Sequence, residues 1–220
     1  MIRSRFIRSF ALGLAAVVAL SCADTTPTGP IAPATAQDGL ISGVLGGVNG
    51  LLGSVLKVVV GVVAPVDVHP VKWAATHDNQ EHRVMGTIDY NGGTLSIPES
   101  DFTITFPYGA LSSPTPITIV SDESGYVSYD MLPHGITFAR PVIVTQRLRN
   151  TEIYGTPEVW NSFGAYFADQ DPLASLNILT GVLQAAEKLT TTILASPSGT
   201  EPAIQVWQLK HFSRYMLASG

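Results

Sequence analysis

From Val71 to the C-terminus the apolar residues of this chain come in short runs at every second position, and each run ends in a turn. Phe102, Ile104 and Phe106 alternate with Thr103 and Thr105, the period of a strand with one face buried. Ile117–Val120, Tyr126–Met131, Pro141–Leu148, Val159–Phe167, Thr190–Ala195 and Ala203–Leu217 are further strand candidates. Asn91-Gly92 is a hairpin signal, and Pro107-Tyr108-Gly109, Ser112–Pro116, Pro133-His134-Gly135 and Ser196–Pro202 break the chain. Short strands at this spacing predict an all-β fold, an antiparallel β-sandwich over residues 71–220. One helical insert is expected at Leu173–Leu189, where Leu173, Leu176, Leu179, Leu183 and Ala186 fall at helical spacing.

The N-terminus has a different character. Arg3, Arg5 and Arg8 precede the apolar run Phe10–Leu20, which is too short to span a bilayer and reads with residues 1–21 as an export signal. Val18-Ala19-Leu20-Ser21-Cys22 resembles a bacterial lipobox, with Ala19 in place of the more usual Leu. That resemblance implies cleavage before Cys22 and acylation of Cys22, an anchor in the cell envelope. Ala23, rather than Asp, after the cysteine implies sorting to the outer membrane. Cys22 is the only cysteine, so an exported chain has no internal disulfide available. Loss of residues 1–21 removes three arginines and leaves nine basic against 17 acidic side chains, a formal −8. Such a balance argues against nucleic acid and against electrostatic docking on anionic lipid.

Residues 22–38 are rich in Pro, Thr and Ala without apolar period, the composition of a tether. Residues 39–70 form a glycine-rich apolar segment. Gly39, Gly43, Gly46, Gly50 and Gly53 recur at intervals of four and three, and on a helix they make one stripe of small residues. Gly39–Val63 is therefore expected to lie against the membrane or to associate with itself. Two alternatives stand beside that reading. Each glycine costs about 0.8–1 kcal/mol in a helix interior, which disfavours order, and the β-branched run Val58–Val63 suits a strand.

Four short motifs in the globular part occur in a telling order: Gly-Gly-Thr-Leu-Ser-Ile-Pro at Gly92–Pro98, Phe-Pro-Tyr-Gly-Ala-Leu at Phe106–Leu111, Pro133–Val142, and His-Phe-Ser-Arg-Tyr at His211–Tyr215. In this order they resemble the ZU-five domain of zonula-occludens proteins, netrin receptors and ankyrins. The resemblance implies a β-sandwich used for protein contact or structural coupling rather than turnover, which makes an envelope protein or a polysaccharide the expected partner. It also implies one reactive possibility. In some members the His-Phe-Ser motif cleaves itself, with Ser213 as nucleophile, the Phe212 carbonyl as the scissile group and His211 as base. On a single strand, His211 and Ser213 share a face but stand about 6.6 Å apart, so direct proton transfer requires a kink. Trp207, Leu209, His211, Ser213, Tyr215 and Leu217 would share that face, and the polar pair has the alternative role of a buried hydrogen-bonded couple.

No other chemistry stands out. Neither a G-x-S-x-G elbow, an H-E-x-x-H pair, a P-loop nor a dinucleotide fingerprint is present, and no cofactor is implied. His69, His77 and His82 have no common zinc spacing, and Asp169-Gln170-Asp171 lacks the rest of a calcium loop, so no metal is expected. Tyr108, Tyr126, Tyr129, Tyr154, Tyr166 and Trp160 are the pool from which a binding patch would be drawn, with the core as their other destination.

Overall fold

A computed structural model describes residues 55–195 and 202–220; Cys22, the tether and Gly39–Ser54 lie outside the described residues. Two antiparallel sheets pack face to face. The first has six strands, in the order β1 (Val55–Val59), β12 (Thr191–Ala195), β13 (Pro202–His211), β8 (Thr137–Arg147), β5 (Phe102–Phe106) and β4 (Gly93–Ile97). The second runs β10 (Leu183–Ala185), β2 (Val66–Pro70), β14 (Arg214–Ser219), β7 (Ser128–Leu132), β6 (Thr115–Ser121) and β3 (His82–Ile88). β9 (Phe163–Phe167) joins that sheet beside β14 and carries β11 (Glu187–Lys188) on its other side.

The period-2 pattern does what it predicts. Phe102, Ile104 and Phe106 of β5 are buried, whereas Thr103 and Thr105 face outward and bond across to Ser96 and Thr94 of β4 at 3.1 and 3.3 Å. Val142 and Val144 of β8 extend the inner face. The facing sheet supplies Ile117, Ile119, Tyr129 and Met131, and the Phe102 and Tyr129 rings meet at 4.2 Å. One buried polar group is paired across the core: the Tyr129 hydroxyl donates to Gln146 Oε1 at 2.6 Å, and Gln146 Nε2 donates to Ser100 O at 3.1 Å.

Three expectations are corrected. First, the sandwich does not begin at Val71. β1 pairs with β12 from Val55↔Leu194 to Val59↔Thr191, and β2 pairs with β10 and β14. The described part of the glycine-rich segment thus holds two strands, and the valines of β1 find their partners along Thr191–Leu194. Gly61 serves close backbone approach, not a helical stripe: a Cβ there would stand 2.8 Å from Thr190 N. Second, Leu173–Leu189 is not helical. It holds a 3-10 turn at Pro172–Ser175, a bridge between Asn177 and Val182, then β10 and β11. Gly181 at φ +67° turns the chain. Leu183 and Ala185 then point inward while Gln184 points out. Third, Ala203–Leu217 is two strands in two different sheets.

Candidate functional site

The break between those two strands is the His-Phe-Ser motif. β13 ends at His211 in the six-stranded sheet, β14 starts at Arg214 in the other, and Phe212 and Ser213 cross between them. The crossing shifts the phase of the side chains. Phe212 takes the inward position after Leu209 and is fully buried, while His211 and Ser213 are half-buried.

The Phe212 ring packs edge-to-face on Phe138 at 4.9 Å and on Phe106 at 5.9 Å, and those two rings lie 5.9 Å apart. This cluster gathers the sequence motifs. Phe106 opens the Phe-Pro-Tyr-Gly-Ala-Leu motif, Phe138 lies in Pro133–Val142, and Gly93 of the first motif is in register with Phe106. Three of the four motifs therefore meet around one buried phenylalanine, and the first joins them through its pairing with Phe106. The backbone is equally tied: Phe212 N donates to Ile136 O at 2.9 Å, Phe212 O accepts from Gly135 N at 3.0 Å, and Ser213 O accepts from Met131 N at 3.0 Å.

His211 and Ser213 serve different partners. The Ser213 hydroxyl donates to Phe167 O at 3.5 Å. The His211 ring lies edge-on to Tyr166 at 4.7 Å, with Nδ1 3.0 Å from the Tyr215 hydroxyl and Nε2 3.9 Å from Glu187. Because the Tyr215 hydroxyl donates to His211 O at 2.6 Å, it is free to accept from Nδ1–H, which leaves Nε2 toward Glu187. Burial, followed by the charge of Glu187 and then Tyr166, pushes the Tyr215 phenol far above its ordinary range, so it stays a hydroxyl.

A second polar group next to the crossing escaped the sequence reading. Arg214 reaches Asp122 at 3.2 Å and Asp130 at 3.5 Å. His134 Nε2 is 2.6 Å from Asp130 Oδ1, and its Nδ1 is 3.0 Å from Gln170 Nε2. An accepting Nδ1 and a donating Nε2 use both ring nitrogens. The i,i+4 spacing of Asp130 and His134 was visible in the sequence, but Arg214 and Gln170 join only through strand pairing and a remote loop. Phe167 and Asp169, near this group, also line a cleft of about 510 Å³ with Asp67 and Leu183.

Of the histidines weighed for metal, His77 and His82 both approach Asp78, at 3.6 and 3.0 Å, while His69 lies apart. His77 stacks on Trp73 at 4.1 Å, His82 hydrogen-bonds Asp78, and His69 Nδ1 is 3.2 Å from Gly181 O. The His82 hydrogen bond is the main reason that Asp78 is held below the usual carboxylate range. Asp171 instead precedes the 3-10 turn, its carbonyl accepting from Ala174 N at 3.2 Å. Among the described residues, no group of three His, Cys, Asp or Glu side chains is placed to hold a metal ion. Cys22 lies outside the described residues. No protein-family model matches this chain, and no curated protein matches it.

Proposed function

We propose that the chain is a lipid-anchored protein of the bacterial cell envelope, acylated at Cys22 and sorted to the outer membrane, whose ZU-five-like β-sandwich is a non-catalytic interaction or structural module. What carries this reading is the meeting of three of the motifs at Phe212, with the fourth paired to Phe106. Residues that would be conspicuous as chemistry serve the packing of a corner: Phe212 fills the core, and His211 is turned to Tyr215 and Glu187. The partner is an envelope protein or a polysaccharide.

A second reading has one observation in its favour. The Gly135 N–H is already 3.0 Å from the Phe212 carbonyl oxygen, where an oxyanion would develop. In that reading Ser213 Oγ attacks the Phe212 carbonyl carbon and the peptide C–N bond breaks. The nitrogen leaves as the free amine of Ser213, and water hydrolyses the resulting ester. His211 would have to leave Tyr215 to act as base.

The denatured intact mass of protein purified from a lipoprotein-processing bacterium tests both. Acyl groups on an unbroken chain from Cys22 to Gly220 are expected. A separate Ser213–Gly220 peptide, absent from Ser213→Ala, would establish self-processing instead, and an unacylated N-terminus would remove the membrane address.

A further inference from the structure

Two tyrosines stand out of the sandwich at the end of the six-stranded sheet. Tyr90, in the Asp89–Gly92 turn, is 49% exposed, and Tyr108, in the Phe-Pro-Tyr-Gly-Ala-Leu motif, is 55% exposed. Their rings lie 4.5 Å apart at 69°, edge to face, and both stay about half exposed. Arg140, at the start of β8, completes this corner. The point where a Cβ on Gly109 would sit is 3.7 Å from Tyr90 Cε2 and 3.8 Å from Arg140 Nε. Arg140 is exposed, and among the described residues no carboxylate pairs with it. The nearest acid of the turn is occupied, since Asp89 accepts from Asn91 N at 2.8 Å and from Asn91 Nδ2 at 3.3 Å.

The corner is held rigidly. Gly109 N donates to Tyr90 O at 2.8 Å, Ala110 N to Pro107 O at 3.0 Å, and Ala139 N to Ala110 O at 3.0 Å. Gly109 adopts φ +74°, which a side chain would strain. A preformed corner loses little freedom when it binds. Its position is equally telling. Val55, where the described chain enters the sheet, is in register through Leu194 and Ile204 with Arg147. Arg140 is seven residues farther along β8, roughly 23 Å away at strand rise. The corner therefore lies toward the opposite end of β8 from the position in register with Val55.

We propose that Tyr90, Tyr108 and Arg140 form a binding subsite for a carboxylate-bearing polysaccharide, one tyrosine face stacking on a pyranose ring, the other tyrosine flanking it, and Arg140 pairing with the sugar's carboxylate. The proposal rests on the reading of the sandwich as an interaction module and names the chemistry of its ligand. Tyrosine presents a flat apolar body with a hydroxyl at its rim, matching a sugar's C–H face and hydroxyl edge. A guanidinium presents a planar fork to a carboxylate. The formal −8 of the mature chain repels acidic ligands at long range, but beyond a Debye length of about 8 Å at physiological salt that field is screened and the local cation decides.

The test uses the mature acylated protein in detergent micelles, titrated calorimetrically with hexagalacturonate, with neutral maltohexaose and with a hexaglutamate peptide. Hexagalacturonate is expected to bind, and Tyr90→Ala or Tyr108→Ala to weaken it about tenfold or more. Arg140→Gln should reduce hexagalacturonate to the affinity of maltohexaose. Unchanged thermal midpoints, with Tyr108→Phe keeping most of the binding, separate loss of contact from loss of fold. The proposal is overturned by no glycan binding at about 10 mM, by binding indifferent to both tyrosines, or by hexaglutamate binding equally well, which would mark an acidic-peptide surface. The anchor is judged separately by mass. An acylated chain that ignores the glycan sinks this inference alone, and an unacylated chain that binds it sinks only the membrane address.

Discussion

Phe212 matters more to this protein than the serine beside it. Its ring is fully buried between Phe106 and Phe138, so Phe212→Ala deletes most of an aromatic side chain from a corner that has little freedom to collapse. A loss of about 3–5 kcal/mol in urea unfolding is expected. Ser213→Ala removes one 3.5 Å hydrogen bond at a half-buried position and should cost about 1 kcal/mol or less. Equal losses would show that Ser213, not the aromatic cluster, secures the crossing. Two buried tyrosines give the fold a pH limit. Burial raises the Tyr129 and Tyr215 phenols above the ordinary value of 10.0, with Asp101 adding at the first and Glu187 at the second. Their contribution is complete below pH 10, where both states hold the proton. Above it the unfolded chain ionises while the folded one does not, the unfolded state binds fewer protons, and stability falls as pH rises. Of the seven tyrosines in the chain, these two should titrate by ultraviolet absorbance only as the near-ultraviolet circular dichroism is lost. Seven phenolates in a protein that keeps its native spectrum would contradict this.

Single elements separate what the sequence makes legible from what it hides. β5 and β8 were readable because each has one face in the core and one in water, and alternation reports that directly. The Val55–Val59 strand was legible only in part, through the β-branched run that begins at Val58, because the glycines before it imitate a helical stripe and its partner Thr191–Leu194 lies far along the chain. The same limit applies to the site. His211, Phe212 and Ser213 could be named from the sequence, but the sheet crossing that separates His211 from Ser213, and the Arg214–Asp130–His134 group, depend on pairing between remote strands. In the Leu173–Leu189 interval the leucines divide by a rule that helical spacing cannot state. Leu183 is 1% exposed, whereas Ile178 and Leu179, at the tip of the Asn177–Val182 turn, are 91% and 97% exposed. Asn177 Oδ1 holds that tip by accepting from Leu179 N at 3.0 Å and Thr180 N at 3.2 Å. Replacing Ile178 and Leu179 together by Ser should therefore leave stability within about 0.5 kcal/mol. Leu183→Ala should cost about 2–5 kcal/mol. Paired thermal melts decide this; if the surface pair destabilises as much as Leu183→Ala, the tip is packed rather than bare.

At the scale of the whole molecule the last strand joins everything else. β14 pairs with β7 and β2 along one edge and with β9 along the other. Its two faces enter different cores: Tyr215 and Leu217 belong to the large cluster between the sheets, Met216 and Ala218 to the smaller one around Phe163 and Leu183. Removing Ser213–Gly220 opens both clusters and strips partners from three strands at once. Losses of about 2–5 kcal/mol for each of Tyr215, Met216 and Leu217 together match the 5–15 kcal/mol that holds an ordinary domain together. A chain ending at Phe212 should accordingly fail to fold, recovered as aggregate or without a cooperative melt. A chain cut at Phe212–Ser213 after folding is a different object, since the same pairing retains the eight-residue tail until the sheets come apart. Native and denatured mass spectra of the same sample distinguish these states. A soluble, cooperatively melting protein that ends at Phe212 would mean that the two sheets hold together without the strand that links their cores.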